Sequence, residues 1–162
     1  MEQLYRKYHR EIHLYLYSMC RQTDVAKDLT QETFLKALLS LNSNHTNMRA
    51  WLYVVARNLY FNYQKKGRRS VSLEDAHIQN DFTSSDLLSD LIQTEEKEVL
   101  FQGIQQLSQR KREILQLQYF GGLSQQEISA ILRLSPTNVR VLALRARQEL
   151  KQYLEVHGYD IP

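Results

Sequence analysis

A chain of 162 residues has room for one domain or two small ones, and its net charge of +3 averages over strong local differences. The single cysteine, Cys20, cannot build an internal disulfide framework and fits a reducing cytoplasm. No apolar run is long enough to span a membrane, and the opening residues MEQLYRKYHRE lack the apolar centre of an export signal.

Five glycines and two prolines, Pro136 and Pro162, favour helices, and no alternating run is long enough to seed a sheet. Leu4, Tyr8, Ile12, Tyr15, Leu16 and Met19 recur at helical spacing, which predicts one amphipathic helix over residues 2–20, with Cys20 as a small core residue. Arg21 to Thr23 break it. A second helix is expected over 24–41, with Ala26, Leu29, Phe34, Ala37, Leu38 and Leu41 inside and Asp28, Gln31, Glu32 and Lys36 outside. Residues 42–47, NSNHTN, form a polar loop rich in turn formers. Asn47 can cap a third helix over 48–66, where Trp51, Leu52, Val55, Leu59 and Tyr63 recur at core spacing. Lys65, Lys66, Arg68 and Arg69 suit its C-terminus, and Gly67 suits its cap.

Composition then shifts. Residues 70–93 hold five acids (Glu74, Asp75, Asp81, Asp86 and Asp90) and no lysine or arginine, the pattern of an acidic, weakly structured linker with a helical turn expected near 87–92. Helical spacing returns over 95–107 through Val99, Leu100, Ile104 and Leu107. A further helix is expected over 109–120, ended by Gly121 and Gly122. Ser124 and Glu127 form a capping box at the start of a short helix that carries Ile128, Ile131 and Leu132 on one face. After a break at Leu134, Ser135 and Pro136 are an N-cap followed by proline at the first helical position. The last helix buries Val139, Leu142, Ala143, Ala146 and Leu150. It leaves Arg140, Leu144, Arg147 and Lys151 on the other side, with Val141 and Arg145 alongside. A basic helix buttressed by a shorter one suits insertion into a DNA major groove. The expected fold is all-α: a helical domain over 1–69, a flexible acidic linker over 70–93, a four-helix domain over 94–155 and a tail over 156–162.

Three stretches carry a family resemblance. DVAKDLTQETFLKALLSL resembles the core-polymerase-binding helix of bacterial sigma factors. MRAWLYVVARNLYFNYQKKGRR resembles the helix that melts and reads the minus-ten element. LSQRKREILQLQYFGGLSQQEISAILRLSPTNVRVLALRARQELK resembles the domain that reads the minus-thirty-five element. Their order, with no domain between them, is similar to the extracytoplasmic-function subfamily of the sigma-70 family. DLxQETF, RAWLxxxARN and REILxLxYxxGLSxxEI at these spacings are strongly specific, whereas a helix-turn-helix alone is not.

The resemblance implies a promoter-specificity subunit, not an enzyme and with no cofactor or small-molecule substrate, that works in the cytoplasm. It implies that Asp28, Leu29, Gln31, Glu32, Phe34 and Lys36 dock on or shape the face toward the β′ clamp of core RNA polymerase, with the β flap as a second contact. Minus-ten DNA would meet Asn44, His45 and Asn47 in a loop pocket for a flipped base. It would also meet Arg57, Asn58 and Asn62 on the following helix, and Lys65, Lys66, Arg68 and Arg69 at the phosphates. Many relatives carry aspartate where Asn62 stands. In the last helix Thr137, Asn138, Arg140, Val141, Leu144 and Arg145 are the groove candidates, and Arg147 and Lys151 the phosphate contacts. Relatives often carry a small polar residue and an arginine where this chain has Val141 and Leu142, which favours apolar contact with thymine methyls. The linker would thread the channel through which RNA leaves, and an anti-sigma protein is the expected inhibitory partner.

A stand-alone helix-turn-helix regulator would account for residues 124–151 and leave the first seventy unexplained. His9 and His13 stand four apart on one helix, but with Cys20 and the other histidines they make no zinc spacing, so no metal site is expected.

Overall fold

The computed structural model describes residues 2–40, 47–69 and 95–159, which are helical with short connections and contain no strand. The chain divides into two bodies, Met1–Phe82 and Thr83–Pro162. The all-α, two-body fold is the one expected. The polar loop from 42 to 46 and the acidic segment from 70 to 93, including the helical turn expected there, lie outside the described residues.

The N-terminal body packs α1 (Glu2–Cys20), α2 (Thr23–Leu39) and α3 (Met48–Arg69) against one another. Ile12, Tyr15 and Leu16 of α1 are fully buried, as are Leu52, Tyr53 and Ala56 of α3, and the rings of Tyr15 and Tyr53 meet edge to face at 5.1 Å. α1 ends at Arg21, whose left-handed φ of 57° turns the chain while its amide still bonds the Tyr17 carbonyl. On α2 the hydroxyls of Thr30 and Thr33 donate to the carbonyls of Ala26 and Leu29, so both threonines can be buried without an unmet group.

The inner faces keep Ala26, Leu29, Phe34, Ala37, Leu52 and Leu59 as expected and differ at their edges. On α2 the buried set is Ala26, Leu29, Thr30, Thr33, Phe34 and Ala37, so Leu38, one residue further round the helix, is 44% exposed. Leu41 lies beyond the end of α2 and outside the described residues. On α3 the buried set is Ala50, Leu52, Tyr53, Ala56 and Leu59. Trp51 and Val55 are only half-buried, and Tyr63 is 41% exposed. Gly67 does not cap α3: the helix runs through it to Arg69, with nothing within 4 Å of where its Cβ would stand.

The C-terminal body contains α4 (Glu95–Gln105), α5 (Gln109–Leu115), α6 (Gln125–Leu132) and α7 (Pro136–Val156). α7 is its spine and touches the other three. Ile104, Leu107, Leu115, Ala146, Leu150 and Leu154 form one cluster of its core, and Ile114, Leu117, Ile128 and Val139 are also fully buried. α4 lies so close to α7 that a Cβ on Gly103 would come within 2.7 Å of Leu150 Cδ1 and 2.8 Å of Tyr153 Cδ1. The single helix expected over 109–120 widens after α5 into a π-helical turn, Gln116–Phe120. That turn sets Phe120 on Phe101, ring centroids 5.7 Å apart. Leu142, expected inside α7, is half-buried.

Candidate nucleic-acid interface

The helix-turn-helix is built from local bonds that its sequence dictates. The Glu127 amide donates to Ser124 Oγ at 3.1 Å, and the Ser124 amide donates to Glu127 Oε1 at 3.0 Å, so the capping box is complete. α6 stops at Arg133, a left-handed residue with φ 58° and ψ 47°. The Leu134 amide then bonds the Ser129 carbonyl, and the Ser129 hydroxyl donates to the Leu134 carbonyl, which ties both sides of the turn. Ser135 Oγ accepts from the Asn138 amide at 3.1 Å, and Pro136 opens α7. This fixes where α7 starts, and so which of its side chains face out.

Thr137, Asn138, Arg140, Leu144 and Arg145 are exposed on α7, and Val141 is half-buried at their edge. Lys151 is exposed further along. Arg147 differs from expectation: it is half-buried, and its Nη1 donates to Gln118 Oε1 of the π-turn at 3.3 Å. That bond engages one of the guanidinium N–H donors within the body.

On α3, Asn58, Asn62, Lys65 and Lys66 are exposed. Arg57 is half-buried, its guanidinium 5.1 Å over the ring of Phe61. Asn47 is exposed, but its Oδ1 accepts the Ala50 amide at 3.0 Å, so the oxygen expected to read a base is engaged in capping α3. Asn44 and His45 lie outside the described residues. Arg68 and Arg69 continue α3, their side chains outside the description.

On α2, Asp28, Gln31, Glu32 and Lys36 are exposed as expected. Leu29 and Phe34 are each 6% exposed, so they hold the face from behind and do not form its surface. What the sequence reading missed is apolar: Leu35 is 54% and Leu39 76% exposed. Asp28, Glu32, Leu35 and Leu39 fall at the spacing of one helical stripe, so the leucines stand among the charges. The signal was there in TFLKALLSL, which holds more leucines than one inward stripe can take.

The C-terminal body also has a cavity of about 500 Å³ lined by Leu100, Ile104, Tyr119, Phe120, Leu150 and Leu154, with Arg147 and Lys151 completing its lining. Burial raises the Cys20 thiol to about 11, which keeps it protonated near neutrality. No group of three or more His, Cys, Asp and Glu among the described residues could hold a metal.

Comparison with known proteins decides the family. Residues 4–70 match Sigma-70 region 2, and residues 97–150 match Sigma-70, region 4. The ECF RNA polymerase sigma factor SigM of Bacillus subtilis (strain 168) is 34% identical over 93% of each chain. The chain belongs to the extracytoplasmic-function group of the sigma-70 family. RNA polymerase sigma factor YlaC of the same strain is 35% identical over 94% of this chain and 90% of that one. The sigma factor RpoE of Bartonella quintana, solved with the anti-sigma factor NepR, superposes with a TM-score of 0.70 at 26% identity, covering 96% of each chain. CnrH, solved with the cytosolic domain of CnrY, gives 0.72 at 23% identity over 96% of this chain and 87% of that one, and shows the fold alone. The chain is therefore an RNA polymerase sigma factor, of a family that is not an enzyme class. A stand-alone regulator leaves the region 2 match without a purpose. Among the described residues no helix of this sigma factor is long and apolar enough to cross a membrane.

Proposed function

We propose that this sigma factor uses three separate surfaces. The α2 stripe binds the β′ clamp of core RNA polymerase, through Asp28, Gln31, Glu32 and Lys36 around Leu35 and Leu39. Charged groups there give orientation and the exposed leucines give desolvated contact. The outer face of α3 binds minus-ten DNA. Asn58 and Asn62 each offer a paired donor and acceptor to a base edge, and Lys65, Lys66, Arg68 and Arg69 meet phosphates. Asn44 and His45 would hold a flipped base, and Asn47 caps the start of α3. The outer face of α7 reads the minus-thirty-five element through Thr137, Asn138, Arg140, Val141, Leu144 and Arg145, with Lys151 on phosphate.

The apolar cavity between α4, the π-turn and α7 supports a second polymerase contact, the β flap, because its lining is that of a helix-binding groove. Boundaries at 1–69, 70–93, 94–155 and 156–162 are supported by the matched spans 4–70 and 97–150. The acidic segment would occupy a positively charged channel of the polymerase, and tethering the two bodies makes two modest DNA contacts cooperative. The factor acts in the cytoplasm under an anti-sigma protein that covers these faces, a partner supported by the Bartonella quintana RpoE having been solved with the anti-sigma factor NepR.

The observation that carries this reading is the helix-turn-helix on one body and the charged stripe with two outward leucines on the other. Run-off transcription with core polymerase tests it. Addition of this chain yields promoter-dependent transcripts from start sites mapped after its overproduction. A folded preparation that gives none defeats the proposal.

A further inference from the structure

We propose that Glu11, Tyr53 and Tyr60 are positioning residues that set the roll of α3 and thereby aim its promoter face; this rests on the assignment of Asn58 and Asn62 to the minus-ten strand. The Tyr53 hydroxyl donates to Glu11 Oε1 at 2.8 Å, and Arg49 Nε donates to the same oxygen at 2.9 Å. The Arg49 guanidinium also lies 6.0 Å over the Tyr53 ring. Two turns further along, the Tyr60 hydroxyl donates to the Met19 carbonyl at 3.2 Å. Tyr53 and Tyr60 are seven residues apart and share one face of α3, so α1 holds that face at two points, near its middle and near its end.

Apolar packing alone does not fix this roll. Val55, half-buried, and Tyr63, exposed, continue the apolar face of α3 beside the buried Leu52 and Leu59, and non-directional burial would also accept a roll that brings them inward. Hydrogen bonds are directional, and turning α3 would break both tyrosine bonds and leave the Glu11 carboxylate short of donors in a half-buried site. An apolar seam of equal volume would hold the helices as firmly, so the polar groups contribute alignment more than stability. The face so fixed points away from the DNA side. At about 100° per residue, Asn58 and Asn62 lie about 140° and 180° round the helix from Tyr53. A bidentate asparagine–base contact tolerates little rotation, so a small change in roll costs discrimination before it costs folding.

The test compares holoenzymes reconstituted with the unmodified factor, with the double variant Tyr53→Phe/Tyr60→Phe, and with Glu11→Gln. Phenylalanine keeps both rings and their packing, and glutamine keeps an acceptor oxygen. The probe is a labelled single-stranded oligonucleotide carrying the non-template minus-ten sequence of a mapped promoter, set against the same bases scrambled. The double variant lowers the cognate-to-scrambled affinity ratio by about fivefold to tenfold, with affinity for core polymerase unchanged, and Glu11→Gln shows a smaller loss. An unchanged ratio in the double variant overturns the proposal. So does a fall in the ratio matched by an equal fall in polymerase affinity, the mark of a merely structural role. A flat ratio in the unmodified factor overturns the assignment of α3 to the minus-ten strand, and this inference with it.

Discussion

Leu35 and Leu39 lie one turn apart on α2 and both point outward, on the same stripe as Asp28 and Glu32. Exposed leucines ringed by charges mark a surface meant to be covered. Leu35→Ala with Leu39→Ala should weaken binding to core polymerase by about tenfold or more, since each truncated apolar anchor costs about 1 kcal/mol or more at an interface centre. The isolated factor should unfold at a nearly unchanged denaturant midpoint, because both side chains are largely exposed. Titration of labelled core polymerase with the double variant checks this, and undiminished affinity removes the leucines from the docking surface.

Much of this was legible in the sequence, and the errors share one cause. Helix positions, the Ser124 capping box and the Ser135–Pro136 start depend on neighbours a few residues away, and they were readable. The roll of α3 depends on α1: Tyr53 is buried because Glu11 and Tyr15 wait for it, and no local pattern in α3 says so. Gly67 has the residue type of a cap, but a cap needs the chain to turn, and α3 simply continues. The bond from Arg147 to Gln118 depends on a π-turn that periodicity does not announce, so no local pattern in α7 shows it.

Gly103 marks a close approach of α4 to α7. Alanine is the better helix former by about 1 kcal/mol, but its methyl group would meet Leu150 and Tyr153 inside van der Waals distance. Overpacking of this kind costs about 1–3 kcal/mol, so Gly103→Ala should be a net loss of about 1 kcal/mol. Hydrogen exchange localises it: amides of α4 and α7 should lose protection by about fivefold while those of α1 to α3 stay unchanged. Equal or greater protection in α4 would mean that the two side chains yield freely.

His13 gives the N-terminal body a pH dependence. Burial holds its pKa below the ordinary 6.5, helped by the nearby His9 and Lys27, and its Nε2 finds no hydrogen-bond partner among the described residues. The unfolded chain therefore takes up a proton that the folded one refuses. Stability from this group is complete above about pH 6.5 and is lost as pH falls from there toward the lower folded value. Urea titrations followed through Trp51, the single tryptophan, should show this decline, with a shallower one in His13→Phe. Equal slopes for the two proteins would assign the dependence to other groups.

The recognition helix separates reading from gripping. Arg145 and Leu144 stand exposed on the outer face of α7, Lys151 stands exposed two turns beyond Leu144, and Arg147 is tied to Gln118. Lys151→Ala should weaken binding to every duplex alike and flatten the dependence of log affinity on log salt by about one unit, the signature of one lost phosphate. Arg145→Ala should instead narrow the gap between a cognate minus-thirty-five duplex and a scrambled one by about tenfold. Leu144→Ala should act the same way at thymine positions, because its only currency in the groove is contact with a methyl group. Arg147→Ala should leave the salt slope alone and loosen the π-turn, since its guanidinium is already bonded inside the body. Fluorescence anisotropy on both duplexes across a salt series distinguishes all four. A full unit of slope lost in Arg147→Ala would show that the Gln118 bond gives way to phosphate on DNA, and would return Arg147 to the DNA contacts.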